Sequence, residues 1–133
     1  MRILALTALI WSLATATLAQ DRDAIEDVIG SQLQAFNERD VDTAWTFASP
    51  MIQRLFGNSA NFGAMVQNGY PMVWDNRDTE FLDLEGGPAR FLQRVFIRDT
   101  GGAGWILEYE MIETAQGWRI NGVRVLPAPE MAA

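Results

Sequence analysis

The sequence predicts an α+β fold in which a helical half precedes a strand half. Apolar residues recur at helical spacing as far as about residue 69, and after Val73 the pattern changes to alternation. Gly-rich turns separate the alternating segments, as in antiparallel hairpins. Because the period changes only once along the chain, we expect a group of helices followed by a sheet.

Residues 1–19 have the pattern of a secretory signal peptide. A positive start is followed by an apolar run, and Thr17-Leu18-Ala19 is a small-x-small cleavage site, with Ala14-Thr15-Ala16 as a poorer one. The rival interpretation is an uncleaved membrane anchor, but a spanning helix needs about 20 apolar residues and this run is shorter. We therefore expect a periplasmic or secreted chain, not inserted in the membrane after cleavage, with a single domain over residues 20–133.

The residue types that are missing narrow the possible chemistry. The chain has no Cys and no His, all ten basic residues are Arg, and seventeen acidic residues give a net charge of −7. Disulfides, Ser-His and Cys-His nucleophile pairs and lysine Schiff bases are excluded. A zinc site would need carboxylates alone, which zinc rarely accepts, and the acidic balance argues against a nucleic-acid partner. We expect no metal and no other cofactor.

Four helices are expected in the first half. The first covers about residues 22–38, with Asp23 and Glu26 spaced as a capping box. Three short helices follow, each after a polar residue that can cap it: 41–48 after Asp40, 51–56 after Ser49 and Pro50, and 60–67 after Asn58 and Ser59. Gly57 and Gly69 are the expected helix stops. The sequence "YPMVW" at 70–74 is predicted to be an extended exit into the sheet.

Four alternating segments predict strands: 79–85, 91–99, 105–113 and 118–126. Pairing the second and third strands so that their apolar faces coincide places an Arg row against a Glu row on the other face, formed by Arg90, Arg94, Arg98, Glu108 and Glu110. This row is most simply a cross-strand charge ladder that helps to set the register. In the last strand we expect Ile120 opposite Met111, and a bulge at Asn121-Gly122.

Two stretches, "LQAFNERDVDTAWTFAS" and "ETAQGWRINGVRV", resemble the nuclear transport factor 2-like or ketosteroid-isomerase-like superfamily. The middle segment, "FASPMIQRLFGNSANFGAMVQNGYPMVW", is similar to a bacterial domain-of-unknown-function family, number 4864. The resemblance implies helices packed in the concave face of a curved, mostly antiparallel sheet, a cone-shaped α+β barrel whose open end often holds a ligand. It implies no particular reaction, because a fold alone does not supply a function.

Candidate site residues are the polar and aromatic side chains that fall on apolar faces. Gln93 and Tyr109 are the clearest, because each lies in an inward row of a strand. The full set predicted to bind a ligand is Trp45, Phe62, Met65, Tyr70, Gln93, Tyr109 and Trp118. The acidic groups at 40–42 and 75–78 are better explained as caps and turns than as a cation site.

Three functions are compatible with these residues. The first is a non-catalytic module whose pocket binds a small hydrophobic molecule or a protein partner. The second is a small isomerase or dehydratase that uses Asp83 as a base beside the Tyr109 phenol, provided that the first strand alternates without a bulge. The third is a structural protein that dimerises through the Arg/Glu face of the sheet.

Overall fold

The computed structural model describes the backbone of residues 3–127 and the side chains of residues 17–127. Within this part of the chain, helices precede strands in the order α1 Ile3–Asn37, α2 Val41–Thr46, α3 Pro50–Phe56, α4 Ser59–Gly69, α5 Pro71–Trp74, β1 Asn76–Gly86, β2 Arg90–Asp99, β3 Gly104–Thr114 and β4 Gly117–Leu126. The strands form one antiparallel meander, β1-β2-β3-β4. The predicted α+β class, helices followed by a curved antiparallel sheet, is confirmed.

Helix α1 begins much earlier than expected. No Pro or Gly occurs between residues 3 and 29, so nothing interrupts the helix before the amphipathic part begins. Asp23 consequently lies inside α1, and the predicted capping box at its start is wrong. The predicted signal peptide lies mostly outside the described side chains. Among the described residues, no helix combines the length and the apolar character that a membrane span requires.

The short helices begin at the caps that the sequence predicts. Asp40, Ser49 and Asn58 each accept a hydrogen bond from the backbone N–H three residues further on. Gly57, at φ 84°, ends α3 in a conformation that favours glycine. Helix α2 is shorter than predicted, because the chain leaves it after Thr46 to run beside β4.

The predicted extended exit at residues 70–74 is wrong. Tyr70 itself stays outside the helical region, at φ −134° and ψ 60°, but Pro71 begins the one-turn helix α5. Proline suits the first position of a helix, where its missing N–H costs no hydrogen bond. This extra turn places Met72 and Val73 in the core.

The register of β2 and β3 is the predicted one. Phe91 pairs with Met111, Gln93 with Tyr109 and Val95 with Leu107, so the apolar rows of both strands lie on one face. Helix α1 packs its buried stripe against this face, and the joint core includes Ile25, Ile29, Leu33, Phe36, Val95, Ile97, Leu107 and Met111. The core therefore lies between the helices and one face of the sheet.

The opposite face of the sheet, called here the outer face, carries the charge ladder. Glu108 is hydrogen-bonded by Arg94 at 3.4 Å and by Arg124 at 2.8 Å, and Arg90 lies 2.9 Å from Glu110. Arg98 departs from the predicted ladder, because its guanidinium donates to a turn carbonyl instead.

The register of the described sheet shifts at three places, two of them along β1 and one along β4. In β4 the register shifts beside Met111↔Ile120, as predicted, and leaves Asn121 as the extra residue. In β1 one shift lies between Asn76 and Asp78 and another between Phe81 and Leu84. Because side chains alternate with a period of two, the shift between Phe81 and Leu84, which adds one residue to β1, reverses the facing of the residues around it.

Candidate ligand-binding cavity

A cavity of about 200 Å³ lies between the helices and the inner face of the sheet. It is lined by residues of α1, α3, α4, β3 and β4 and of the segments beside them, namely Gln32, Phe36, Ala48, Ile52, Leu55, Phe56, Phe62, Met65, Val66, Tyr70, Val73, Tyr109, Ile120, Gly122 and Val123. An apolar cavity of about 150 Å³ is large enough to hold a benzene molecule. The space therefore fits a body of about one ring or a short alkyl chain.

The position of α3 over this cavity is held by β4. Phe47 O accepts from Ile120 N at 2.9 Å, and Ser49 N donates to Ile120 O at 2.8 Å. The Ser49 hydroxyl caps α3 and also donates to Asn121 Oδ1, 2.7 Å away in the β4 bulge. The bulge and the cap thus fix one wall of the cavity together.

Among the described residues, three polar side chains line the cavity, and two of them are anchored to the backbone. The Gln32 Nε2 donates to Ala44 O at 3.1 Å, and the Tyr70 hydroxyl donates to Val123 O at 3.0 Å. The Tyr109 hydroxyl makes no hydrogen bond with any residue that the structure describes, although Tyr109 is 0% exposed. A buried hydroxyl without a partner costs free energy, so it is a notable feature of a protein interior.

Burial raises the pKa of the Tyr109 phenol above its ordinary value, and the nearby Tyr70 phenol raises it further. The Tyr109 side chain is therefore neutral at physiological pH, with its proton available for donation. Within the described part of the chain, none of the residues that line the cavity is charged. Elsewhere in residues 17–127, no acidic residues cluster in a way that could hold a metal ion.

Comparison with known proteins assigns the chain to a family. The model of a domain of unknown function, DUF4864, matches residues 18–133. The chain belongs to the DUF4864 family. No curated protein matches the sequence. The solved structure of a phospholipid-binding protein from Ralstonia solanacearum, in complex with a phospholipid, matches with a TM-score of 0.44 and 13% identity, over 83% of this chain and 76% of that one.

Family membership confirms the more specific of the two resemblances seen in the sequence. The resemblance to the nuclear transport factor 2-like superfamily stays a prediction. A likeness at 13% identity and a TM-score of 0.44 is too distant to carry that protein's phospholipid over to this DUF4864 chain.

Four of the seven residues predicted to bind a ligand line the cavity: Phe62, Met65, Tyr70 and Tyr109. Trp45 does not line the cavity but packs against Phe62, which does, with their ring centroids 5.5 Å apart. Trp118 is buried against Phe91, with their ring centroids 5.5 Å apart, and belongs to the core. The alternating pattern identifies the inward face of a strand, but it does not locate the cavity along that face.

Gln93 does not line the cavity, and its side chain instead forms hydrogen bonds with the backbone of the sheet. Its Nε2 lies within hydrogen-bond distance of the carbonyls of Leu82, Asp83 and Arg94, at 3.1, 3.2 and 2.8 Å. Two of these carbonyls belong to the β1 bulge, where the regular ladder is interrupted. Gln93 thus supplies a donor to backbone groups that the bulge leaves unpaired.

The predicted pair of Asp83 and Tyr109 is not formed. The bulge between Phe81 and Leu84 turns Asp83 to the outer face, where its carboxylate lies 3.5 Å from Arg94 and its side chain is 53% exposed. Tyr109 lies on the inner face, so the sheet separates the two side chains. The predicted proton-transfer site required a first strand that alternates without a bulge. Because β1 has a bulge, Asp83 and Tyr109 do not form that site.

Several lining residues were missed, and the sequence contained a signal for some of them. Gln32 lies three residues after Ile29 and four before Phe36, and is therefore a polar residue within the apolar stripe of α1. In α3, Ile52, Leu55 and Phe56 recur at i, i+3 and i+4, which marks one helix face. What that face contacts is a tertiary property that spacing does not reveal.

Proposed function

We propose that this chain is a non-catalytic binding module that holds a small hydrophobic molecule in its cavity. The observation that carries this proposal is an apolar cavity of about 200 Å³, whose described lining consists of aromatic and aliphatic side chains and three polar ones. Ligand sites are typically concave and mostly apolar, with a few placed polar groups that orient the ligand. Burial of the ligand's apolar surface supplies the binding free energy.

Among the described residues, those that line the cavity supply no general base. The carboxylate that a proton-transfer site would need, Asp83, lies on the outer face beside Arg94. The Tyr109 phenol keeps its proton at neutral pH, because burial raises its pKa, and it therefore cannot act as a base there. A binding role is the simpler use of these residues.

Helix α3 borders the entrance. Leu55 lines the cavity and is nevertheless 70% exposed. Exposed apolar side chains beside a cavity provide a route by which a hydrophobic molecule can enter from water.

We further propose that the domain of residues 20–133 acts after export, in the periplasm or outside the cell. The apolar run and the Thr17-Leu18-Ala19 site support this location. A homodimer through the outer face also stays a prediction, which sedimentation of the purified chain over a range of concentrations would test.

Binding of toluene tests the cavity directly, because toluene is close to the size of the space. A ligand that binds only the folded state raises the melting temperature, and the rise grows with the ratio of the ligand concentration to the dissociation constant. We expect toluene to raise the melting temperature of the wild-type chain and not that of Met65→Trp, in which a larger ring fills the lining.

Met51→Trp is the matched control, because Met51 lies outside the lining and is partly exposed. It should retain the toluene response of the wild-type chain. The same response in Met65→Trp as in the control, or no response in the wild-type chain, would show that the cavity does not bind apolar molecules.

A further inference from the structure

We propose that the cavity selects a neutral hydroxyl compound, an alcohol or phenol of about one ring, whose hydroxyl group donates a hydrogen bond to the Oε1 of Gln32. This inference rests on the proposed binding function and names the chemical class of the ligand. It depends on which polar atoms of the lining are already paired, on which of them a ligand can reach, and on where the charged residues of the domain lie.

The side-chain amide of Gln32 is held in one orientation. Its Nε2 donates to Ala44 O in α2, 3.1 Å away. Because a carbonyl oxygen accepts but cannot donate, the nitrogen of the amide has to face Ala44 O, and the amide oxygen lies on the other branch. Gln32 is only 4% exposed to solvent and lines the cavity. The protein therefore fixes the direction of this amide before any ligand binds.

The Gln32 Oε1 is unpaired and within reach of a ligand. Among the described residues, none donates a hydrogen bond to it, whereas its amide nitrogen is paired. Two other side-chain polar atoms of the described chain, the Gln93 Oε1 and the Tyr109 hydroxyl, are unpaired but completely enclosed by protein, so a ligand in the cavity does not reach them. The Gln32 Oε1 is not enclosed in this way, and the space that Gln32 lines is the cavity.

An unpaired amide oxygen requires a donor as its partner. The second polar group of the lining, the Tyr70 hydroxyl, gives its single proton to Val123 O at 3.0 Å, so that toward a ligand it too can only accept. A ligand with a donor therefore pairs an oxygen that the fold leaves unpaired, whereas a ligand that only accepts leaves that oxygen without a partner.

The donor is expected to be a neutral hydroxyl and not an ammonium group. The described lining contains no carboxylate. Glu108 and Glu110 lie on the outer face, where arginines already bind them, with the sheet between them and the cavity. An ammonium ion would lose its hydration in the cavity without gaining an opposite charge, which costs far more than the desolvation of a hydroxyl group. Alcohols and phenols are therefore favoured over amines.

A matched set of six-membered rings tests this selection. Cyclohexane, cyclohexanol, cyclohexanone and protonated cyclohexylamine have similar apolar bodies, which suit a space of about 200 Å³, and they differ in the group that would meet Gln32. Their dissociation constants would be measured by ligand-observed NMR at neutral pH with the wild-type chain, Gln32→Met and Gln34→Met. Methionine has the length of glutamine without its polar atoms, and Gln34→Met makes the same change at an exposed position of α1.

We expect Gln32→Met to weaken binding of cyclohexanol about tenfold, because the ligand hydroxyl loses its acceptor. Binding of cyclohexane and cyclohexanone should not change, since neither donates a hydrogen bond. Gln34→Met should bind all the compounds as the wild-type chain does, and none of the three proteins should bind the ammonium ion.

A second measurement uses the wild-type chain alone. The carbon resonance of the Gln32 side-chain carbonyl, Cδ, should move downfield when cyclohexanol binds and not when cyclohexane binds, because a hydrogen bond to Oε1 polarises the C=O bond. This signal decides the matter if Gln32→Met does not fold: a Cδ resonance that responds to both compounds alike would overturn the contact with Gln32.

The outcomes distinguish this inference from the function on which it rests. Equal cyclohexanol affinity in the wild-type chain and Gln32→Met, with cyclohexane bound by both, would overturn the role of Gln32 and leave the cavity function standing. Cyclohexanone weakened as much as cyclohexanol would overturn the selection for a donor, and an ammonium ion bound as tightly as cyclohexanol would overturn the selection for a neutral one. If the wild-type chain binds neither cyclohexane nor cyclohexanol, the cavity function itself is wrong.

Discussion

Gln93 and Tyr109 are direct cross-strand partners on the buried face of β2 and β3, yet their side chains differ in hydrogen bonding. The Gln93 amide nitrogen donates to backbone carbonyls at the β1 bulge, whereas neither the Gln93 Oε1 nor the Tyr109 hydroxyl makes a hydrogen bond with any described residue. The Gln93 amide nitrogen therefore stabilises the bulge, and the Tyr109 hydroxyl contributes no hydrogen bond to the described fold. Substitutions at the two positions should consequently change stability in opposite directions.

Tyr109→Phe should increase the free energy of unfolding by about 1 kcal/mol in the absence of ligand, because it removes a buried hydroxyl that has no partner. Urea unfolding followed by tryptophan fluorescence measures this change. Tyr70→Phe is the contrasting variant and should lose about 1 kcal/mol, since its hydroxyl is bonded to Val123 O. A loss of stability in Tyr109→Phe as large as that in Tyr70→Phe would indicate that the Tyr109 hydroxyl is paired in solution.

Gln93→Leu should destabilise the chain by about 1–3 kcal/mol, because the bulge carbonyls of Leu82 and Asp83 lose a buried donor. The same urea experiment applies. Gln34→Leu, an exposed change on α1, should alter stability by no more than about 0.5 kcal/mol. If the two Gln→Leu variants are equally stable, the bulge does not depend on Gln93.

Ser49→Ala should cost about 1–2 kcal/mol, because it removes both the cap of α3 and the hydrogen bond to Asn121. Asn58→Ala removes the cap of α4 on an exposed site and should cost less. Hydrogen exchange of the α3 amides should become faster in Ser49→Ala than in Asn58→Ala. Equal exchange rates in the two variants would contradict the link between α3 and the β4 bulge.

Glu108 should make stability depend on pH in the acid range. The hydrogen bond from Arg124, assisted by Arg94, lowers the pKa of this carboxyl group, which is only 6% exposed. Its stabilising contribution is therefore complete above the ordinary glutamate pKa of about 4.3 and is lost as the pH falls through the lowered value. Glu108→Gln should be about 1 kcal/mol less stable at neutral pH, a modest cost because both arginines are partly exposed.

The check for Glu108 is a series of urea unfolding curves between about pH 7 and pH 3, a range that spans the glutamate pKa. The loss of stability toward acid should be smaller in Glu108→Gln than in the wild-type chain. Glu80→Gln, an exposed change on β1, serves as the control and should follow the wild-type curve. A Glu108→Gln curve parallel to that of the wild type would show that the ladder does not hold this carboxylate.

At alkaline pH the buried phenol should be the group that limits stability. The pKa of Tyr109 is raised by burial, so the unfolded chain releases this proton first, and stability falls above about pH 10. The chain has two tyrosines, so in Tyr70→Phe any phenolate absorbance belongs to Tyr109. That absorbance should appear together with loss of tertiary circular dichroism. Phenolate formation in the folded variant would show that the hydroxyl is accessible to water.

The sequence by itself determined the class of the fold and much of its local geometry. The change of period after Val73 separates helices from strands, and Asp40, Ser49 and Asn58 cap the helices that they were predicted to cap. These features depend on neighbours within about four residues, which spacing and side-chain chemistry describe directly. The β2–β3 register was also predictable, because only one alignment unites both apolar rows.

Only the tertiary structure decided which of these side chains form the site. One extra residue in β1, between Phe81 and Leu84, reverses the facing of Asp83, and no local signal in the sequence announces it. The cavity is enclosed by Gln32 from α1, Leu55 from α3 and Tyr109 from β3, which meet because distant elements pack together. Alternation therefore assigns a residue to a face, whereas long-range packing and bulges determine which residues on that face reach the same enclosed space.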